Sequence, residues 1–115
     1  MKLNEFRLRM EAYRQDADRE AMVMKDSHLA LERLHAMYKK FDSEERKMAD
    51  QVIAEWVLSK DEKLRFDALV LIDDFKISGT VSALRDLAKR LPLSSTPGAP
   101  YELRKVNRIL DGLTH

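Results

Sequence analysis

Along almost the whole of this chain, apolar residues return every three or four positions, the spacing that lines one face of an α-helix. Leu3, Phe6, Met10 and Tyr13 step along a first helix, expected at about residues 2–15. Ala21, Met24, His28, Leu31, Leu34 and Tyr38 continue the period through about 18–40. Between them, the two aspartates of QDADRE suit the start of a new helix. One bent helix is the alternative, because no Gly or Pro forces the break. Only three Gly and three Pro occur in 115 residues, and all three prolines fall in one stretch, PLSSTPGAP. With 44% apolar and 36% charged residues, the composition is that of a helix-rich globular chain long enough for one core.

Further boundaries follow from capping chemistry. Asp42 with Glu45 has the form of a capping box, with Ser43 as the competing cap, and Glu44 and Glu45 suit the positive end of a helix dipole. The helix that follows carries Met48, Val52, Ile53, Trp56 and Val57 on one stripe and should end near Ser59, with Trp56 in the core. Ser59 to Glu62 repeats the capping-box spacing and opens a helix bearing Leu64, Ala68, Leu71, Ile72 and Phe75. Phe66, Leu69 and Val70 make that helix apolar around most of its girth, so it should be the most buried. After a turn at Ile77 to Thr80, a helix with Val81, Leu84, Leu87, Ala88 and Leu91 is stopped by Pro92. A last helix begins near Tyr101, with Leu103, Val106, Ile109 and Leu110 inward and Gly112 as its stop. The expectation is a single all-α domain over 1–115, a compact bundle of five or six antiparallel helices.

The stretch DEKLRFDALVLIDDFKISGTVSALRDL, Asp61 to Leu87, resembles a HEAT repeat. Asp61, Arg65 and Ala68 stand where that family places an acidic opening residue, an arginine and a small residue in its first helix; Val81, Ala83, Leu84 and Leu87 stand in the second. The usual proline near the start of the second helix is missing, with Ser82 in that neighbourhood. The resemblance covers under a quarter of the chain and implies one HEAT-like hairpin, an Asp–Arg pair tying one turn to its neighbour, and a scaffold for binding proteins. One unit does not make an extended solenoid.

Several chemistries find no support in the residues. Cysteine is absent, which removes disulfides, thiolate metal sites and cysteine nucleophiles. Phosphate-binding loops, nucleophile elbows and dinucleotide fingerprints are missing, so no catalytic activity and no cofactor are expected. His28, Glu32 and His35 share a helical face but lack a fourth ligand and the H-E-x-x-H form, and packing or interface roles are preferred to metal. The longest apolar run is Ala68 to Ile72, far short of a membrane span. The opening residues carry charges every second or third position, unlike a signal or transit peptide, and the expected location is the cytoplasm.

The charges suggest a surface instead. Asp67, Asp73 and Asp74 form an acidic cluster that Lys63, Arg65 or Lys76 could neutralise. Arg85 and Lys89, and Arg104 and Arg108, are pairs four apart in the C-terminal helices, with Arg90 and Lys105 beside them. Residues 76–115 carry seven basic and three acidic groups, against fourteen and seventeen before them, while the whole chain is +1. That balance, and the lack of aromatics between the charges, weigh against nucleic acid. Asp67, Asp73, Asp74, Arg85, Lys89, Arg104 and Arg108 are therefore the candidate surface for another protein. An immunity protein or antitoxin is one concrete form: such proteins are often small, charged, cysteine-poor and free of catalytic motifs. Leu8, Met22, Val23 and Leu29 lie off the main stripe and make a homodimer a further candidate; nucleic-acid binding through the basic helices and a structural homo-oligomer are the alternatives.

Overall fold

The helical spacing is realised as six α-helices in a computed structural model that describes residues 2–114, leaving Met1 and His115, the ends of the expected domain, outside the described residues. The fold is all-α, with no strand among the described residues. The chain divides into two compact units, one up to Val52 and one from Ile53 onward.

In the first unit, α1 (Leu3–Met24) packs along α2 (Leu29–Lys40), and α3 (Ser43–Val57) begins. The break between the first two helices lies ten residues later than the aspartates of QDADRE suggested. Asp16 and Asp18 do not cap. They sit inside α1, where Asp16 pairs with Arg19 and Asp18 with Arg14, so one-turn ion pairs hold the segment helical. The helix ends instead at Lys25, which turns left-handed with φ 53°. There the Lys25 N–H donates to the Met22 carbonyl and the Asp26 N–H to the Ala21 carbonyl, a Schellman closure with lysine where glycine is usual.

Phe6, Met10 and Ala17 of α1 and Ala30, Leu34, Met37 and Tyr38 of α2 are buried. The Phe41 ring joins them, 5.1 Å from Phe6 and 6.2 Å from Tyr38 between centroids. Tyr13 and Met24, expected inward, are exposed. Tyr13 lies along a cleft with Met10 and Met37, and Met24 is the last residue of α1. Leu8, Met22 and Val23 are exposed as their phase implied, while Leu29 is half-buried. Asp42, not Ser43, caps α3: its carboxylate accepts from the Glu45 N–H at 2.8 Å, and the Glu45 carboxylate accepts from the Asp42 N–H at 3.1 Å.

The second unit holds the end of α3, then α4 (Glu62–Phe75), α5 (Val81–Arg90) and α6 (Ala99–Thr114). Single 3-10 turns at Ser78–Thr80 and Leu91–Leu93 flank α5, and α6 packs on α5, on the second turn and on α4. The end of α3 falls at Val57, two residues short of Ser59. Ser59 is not the cap of α4. Asp61 is, accepting from the Lys63 and Leu64 N–H groups at 3.0 and 3.3 Å, while the Ser59 hydroxyl accepts from the Asp61 N–H at 3.0 Å. Ala68, Leu69, Leu71 and Ile72 of α4 are buried. This helix too closes on a left-handed lysine, Lys76 at φ 54°, with the Ile77 N–H donating to Ile72.

Thr80 is buried, and its hydroxyl donates to the Ile77 carbonyl at 2.7 Å. The last helix starts at Ala99, two residues before Tyr101, because Pro100 in its first turn forgoes an N–H that would have no partner there. Gly112 does not stop it: no glycine has a positive φ, and α6 runs on to Thr114. Among the described residues, no helix is long and apolar enough to cross a membrane.

Candidate partner-binding site

The phase of α4 and the start of α6 together build a groove within the second unit. In α4, Ala68 and Ile72 face inward, and two residues make about 200° of helical turn, so Phe66 points to the side opposite Ala68. It is 48% exposed. In α6, Val106 and Ile109 face inward, which turns Tyr101, Arg104, Lys105 and Arg108 outward. Tyr101 is 75% exposed.

Between these faces lies a groove of about 430 Å³, formed by Glu62, Phe66 and Leu69 of α4, by Gly98, and by Tyr101, Glu102 and Lys105 of α6. Gly98 lies close against Glu62: a Cβ at that position would come to 3.3 Å from Oε1, the far end of an exposed side chain. Lys105 Nζ stands 4.2 Å from the centre of the Phe66 ring and the Arg104 guanidinium 4.6 Å from that of Tyr101. Each cation is thus held on an aromatic face.

Glu102 is fixed from behind. Arg65 Nε and Nη2 donate to its two carboxylate oxygens at 2.7 and 3.0 Å, and Arg65 Nη1 donates to the Ser59 carbonyl at 3.0 Å. Both side chains are 13% exposed. Hydrogen bonding to Glu102 raises the Arg65 pKa above its ordinary value. The Asp–Arg tie that the HEAT resemblance implies is replaced by this pair, because the Asp61 carboxylate is spent on capping α4.

The sequence-derived surface residues separate into groups. Asp67 is buried in α4, with Lys63 Nζ 3.5 Å away, and presents no surface to a partner. Asp73 and Arg108 are brought together at 3.5 Å, and Lys76 reaches the same carboxylate at 3.3 Å. Asp74, Arg85 and Lys89 are exposed. Arg104 is exposed beside the groove, with Tyr101 beneath it. The expectation that no aromatic lies among the basic residues is overturned by Tyr101 and Phe66. The ring at position 66 comes from another helix, and no spacing within α6 reveals it. Its own phase within α4, opposite Ala68, was the usable signal.

The first unit carries a smaller cleft of about 170 Å³, lined by Arg9, Met10, Tyr13, Met37, Lys40, Phe41 and Glu45, with Arg9 and Glu45 3.6 Å apart. Nearby, the Tyr38 hydroxyl donates to Asp50 Oδ1 at 2.8 Å, and the Arg46 guanidinium lies 5.1 Å from the Tyr38 ring centre. Burial pushes the Asp50 carboxyl up, against the opposing pull of Tyr38 and Arg46. Burial and the same hydrogen bond push the Tyr38 hydroxyl up. His28, Glu32 and His35 line an open depression with Leu31. Among the described residues, no group of three His, Cys, Asp or Glu is placed to hold a metal ion. Compared with known proteins, the chain matches no family model, no curated sequence and no solved structure.

Proposed function

We propose that this chain is a non-catalytic protein-interaction module and that the α4–α6 groove receives a segment of its partner. The observation that carries this reading is the pair of exposed rings, Phe66 and Tyr101, set on either side of a groove beside buried Leu69. Removing an aromatic side chain from water is worth about 1.5–3 kcal/mol, and aromatic residues in concave, partly desolvated positions are the usual anchors of an interface. The HEAT-like pattern of Asp61 to Leu87 supports the same class of activity, since such units commonly serve as binding scaffolds. An immunity protein or antitoxin is the concrete form that the small, charged, cysteine-free chain suits.

A nucleic-acid strand is the second reading, favoured by the cations seated against both rings. Against it stands Glu62, a carboxylate in the groove that forms no ion pair among the described residues, Glu102 being matched by Arg65. The test is capture from extract of the source cells with the immobilised chain and with a Phe66→Ala/Tyr101→Ala variant. A protein retained by the first and lost by the second, without nucleic acid, supports the reading. Equal retention by both removes the groove from it.

A further inference from the structure

We infer that the segment docking in the α4–α6 groove is acidic, with a large apolar residue set among its carboxylates; this rests on the docking reading above. The charges that face one another within the second unit are unevenly matched. On the α4 side, Lys63 pairs with Asp67, Arg65 with Glu102 and Lys76 with Asp73. On α6, Arg104 and Lys105 have aromatic rings beneath them and, among the described residues, no carboxylate partner.

Residues 81–114 hold six basic groups (Arg85, Lys89, Arg90, Arg104, Lys105, Arg108) and three acidic ones (Asp86, Glu102, Asp111), hence +3; Glu102 is already matched by Arg65 and Arg108 by Asp73, which leaves Arg104 and Lys105 as the cations beside the groove. A cation resting on a ring keeps its full charge and has part of its side-chain freedom already removed. It therefore gains an incoming carboxylate at a reduced entropic cost. The rings and Leu69 supply an apolar floor between these cations, which calls for an apolar anchor next to the acidic groups.

Glu62 sets the polarity of the segment. It lines the groove and forms no ion pair among the described residues; Arg65 feels its charge but is already gripped by Glu102, so Glu62 repels negative charge at the α4 lip while Lys105 attracts it at the α6 lip. A peptide meets this pattern by placing carboxylates toward α6 and a neutral or basic residue toward Glu62. A nucleic-acid strand carries a phosphate at every step and lacks that freedom.

The experiment pans phage-displayed random peptides on the full chain, then measures binding of the synthetic consensus by fluorescence anisotropy with oligouridylate as competitor. The expected consensus has Asp or Glu flanking an aromatic or large aliphatic residue. Its affinity falls at least about tenfold in Arg104→Glu/Lys105→Glu, more steeply at low salt, is lost in Phe66→Ala/Tyr101→Ala, and is unchanged in Leu8→Ala. Each variant must keep the parent's helical circular dichroism and melting cooperativity. A consensus without acidic residues, lost on removing the rings but indifferent to charge reversal, overturns the acidic inference and leaves the groove reading standing. Oligouridylate that binds through the same four residues overturns it in favour of nucleic acid. Failure to enrich any peptide sensitive to the ring substitutions sinks both readings.

Discussion

Arg65 grips Glu102 across 37 positions of sequence, with two parallel N–H···O contacts at 2.7 and 3.0 Å and both side chains largely shielded from water. This fork-on-fork geometry joins the first turns of α4 and α6, the same turns that present Phe66 and Tyr101. The groove's shape is therefore tied to one ion pair. Leaving either charge without its partner should cost about 3 kcal/mol, whereas replacing both by apolar residues of similar volume should be close to neutral. Urea unfolding of Arg65→Met, Glu102→Leu and the double variant measures this. Singles within about 0.5 kcal/mol of the parent, the usual range for exposed sites, would contradict a shielded pair.

The all-α class and most helix bodies were legible because burial repeats with the helical period, as at Phe6 and Met10 or Leu84 and Leu87. Helix ends were less so. At Asp16 and Asp18 cap-forming residues also had arginines one turn away, and the local ion pairs won over the cap. At Ser59 two overlapping cap patterns competed, and the carboxylate at Asp61 took the helix N–H groups. The groove was hidden for a different reason. Tyr101 was legible as an aromatic three residues before Arg104, but Phe66 comes beside Lys105 only once α4 and α6 pack, so the spacing of α6 shows just half of the aromatic floor. Asp67 departs from the expected surface, since carboxylates are rarely buried and its place one turn from Lys63 is what makes burial tolerable.

Lys25 and Lys76 both close a helix in the left-handed region, at φ 53° and 54°. A side chain there crowds its own backbone, at a cost of roughly 1–2 kcal/mol that glycine avoids, partly offset by glycine's greater freedom in the unfolded chain. Lys25→Gly should therefore raise stability by about 0.5–1 kcal/mol. Lys76→Gly should gain slightly less, since it also loses an exposed contact to Asp73. Thermal melts monitored at a helical wavelength decide it. A lower melting temperature for Lys25→Gly would show that the lysine side chain supports the turn.

The reciprocal bonds between Asp42 and Glu45 single out Asp42 over Ser43 as the cap of α3. Asp42→Ala is expected to cost about 1 kcal/mol and Ser43→Ala only a few tenths, the usual scale for an exposed helical position. Chemical denaturation of the two variants side by side tests the assignment. The reverse ranking would move the cap to Ser43.

Asp50 gives the first unit a pH dependence of unusual sign. Burial outweighs the Tyr38 hydrogen bond and the nearby Arg46 charge, so the folded carboxyl titrates above its unfolded value. Between the ordinary aspartate pKa of about 3.9 and that raised value, the native state holds more protons than the unfolded one. The contribution from Asp50 is then fully present below the lower limit and fades as pH rises through the upper one. Asp50→Asn keeps an acceptor for the Tyr38 hydroxyl and removes the titration, so its stability should stay level across a window in which the parent's falls. Tyr38 repeats the sign at the alkaline end, because its hydroxyl is also pushed up: stability should decline above about pH 10, where the unfolded tyrosine ionises first. Tyr38→Phe should remove that alkaline slope. Urea midpoints collected from acid to alkaline pH on the parent and both variants separate the two effects, and a parent whose stability rises with pH through the Asp50 window, with Asp50→Asn rising less, would reverse the sign assigned to burial.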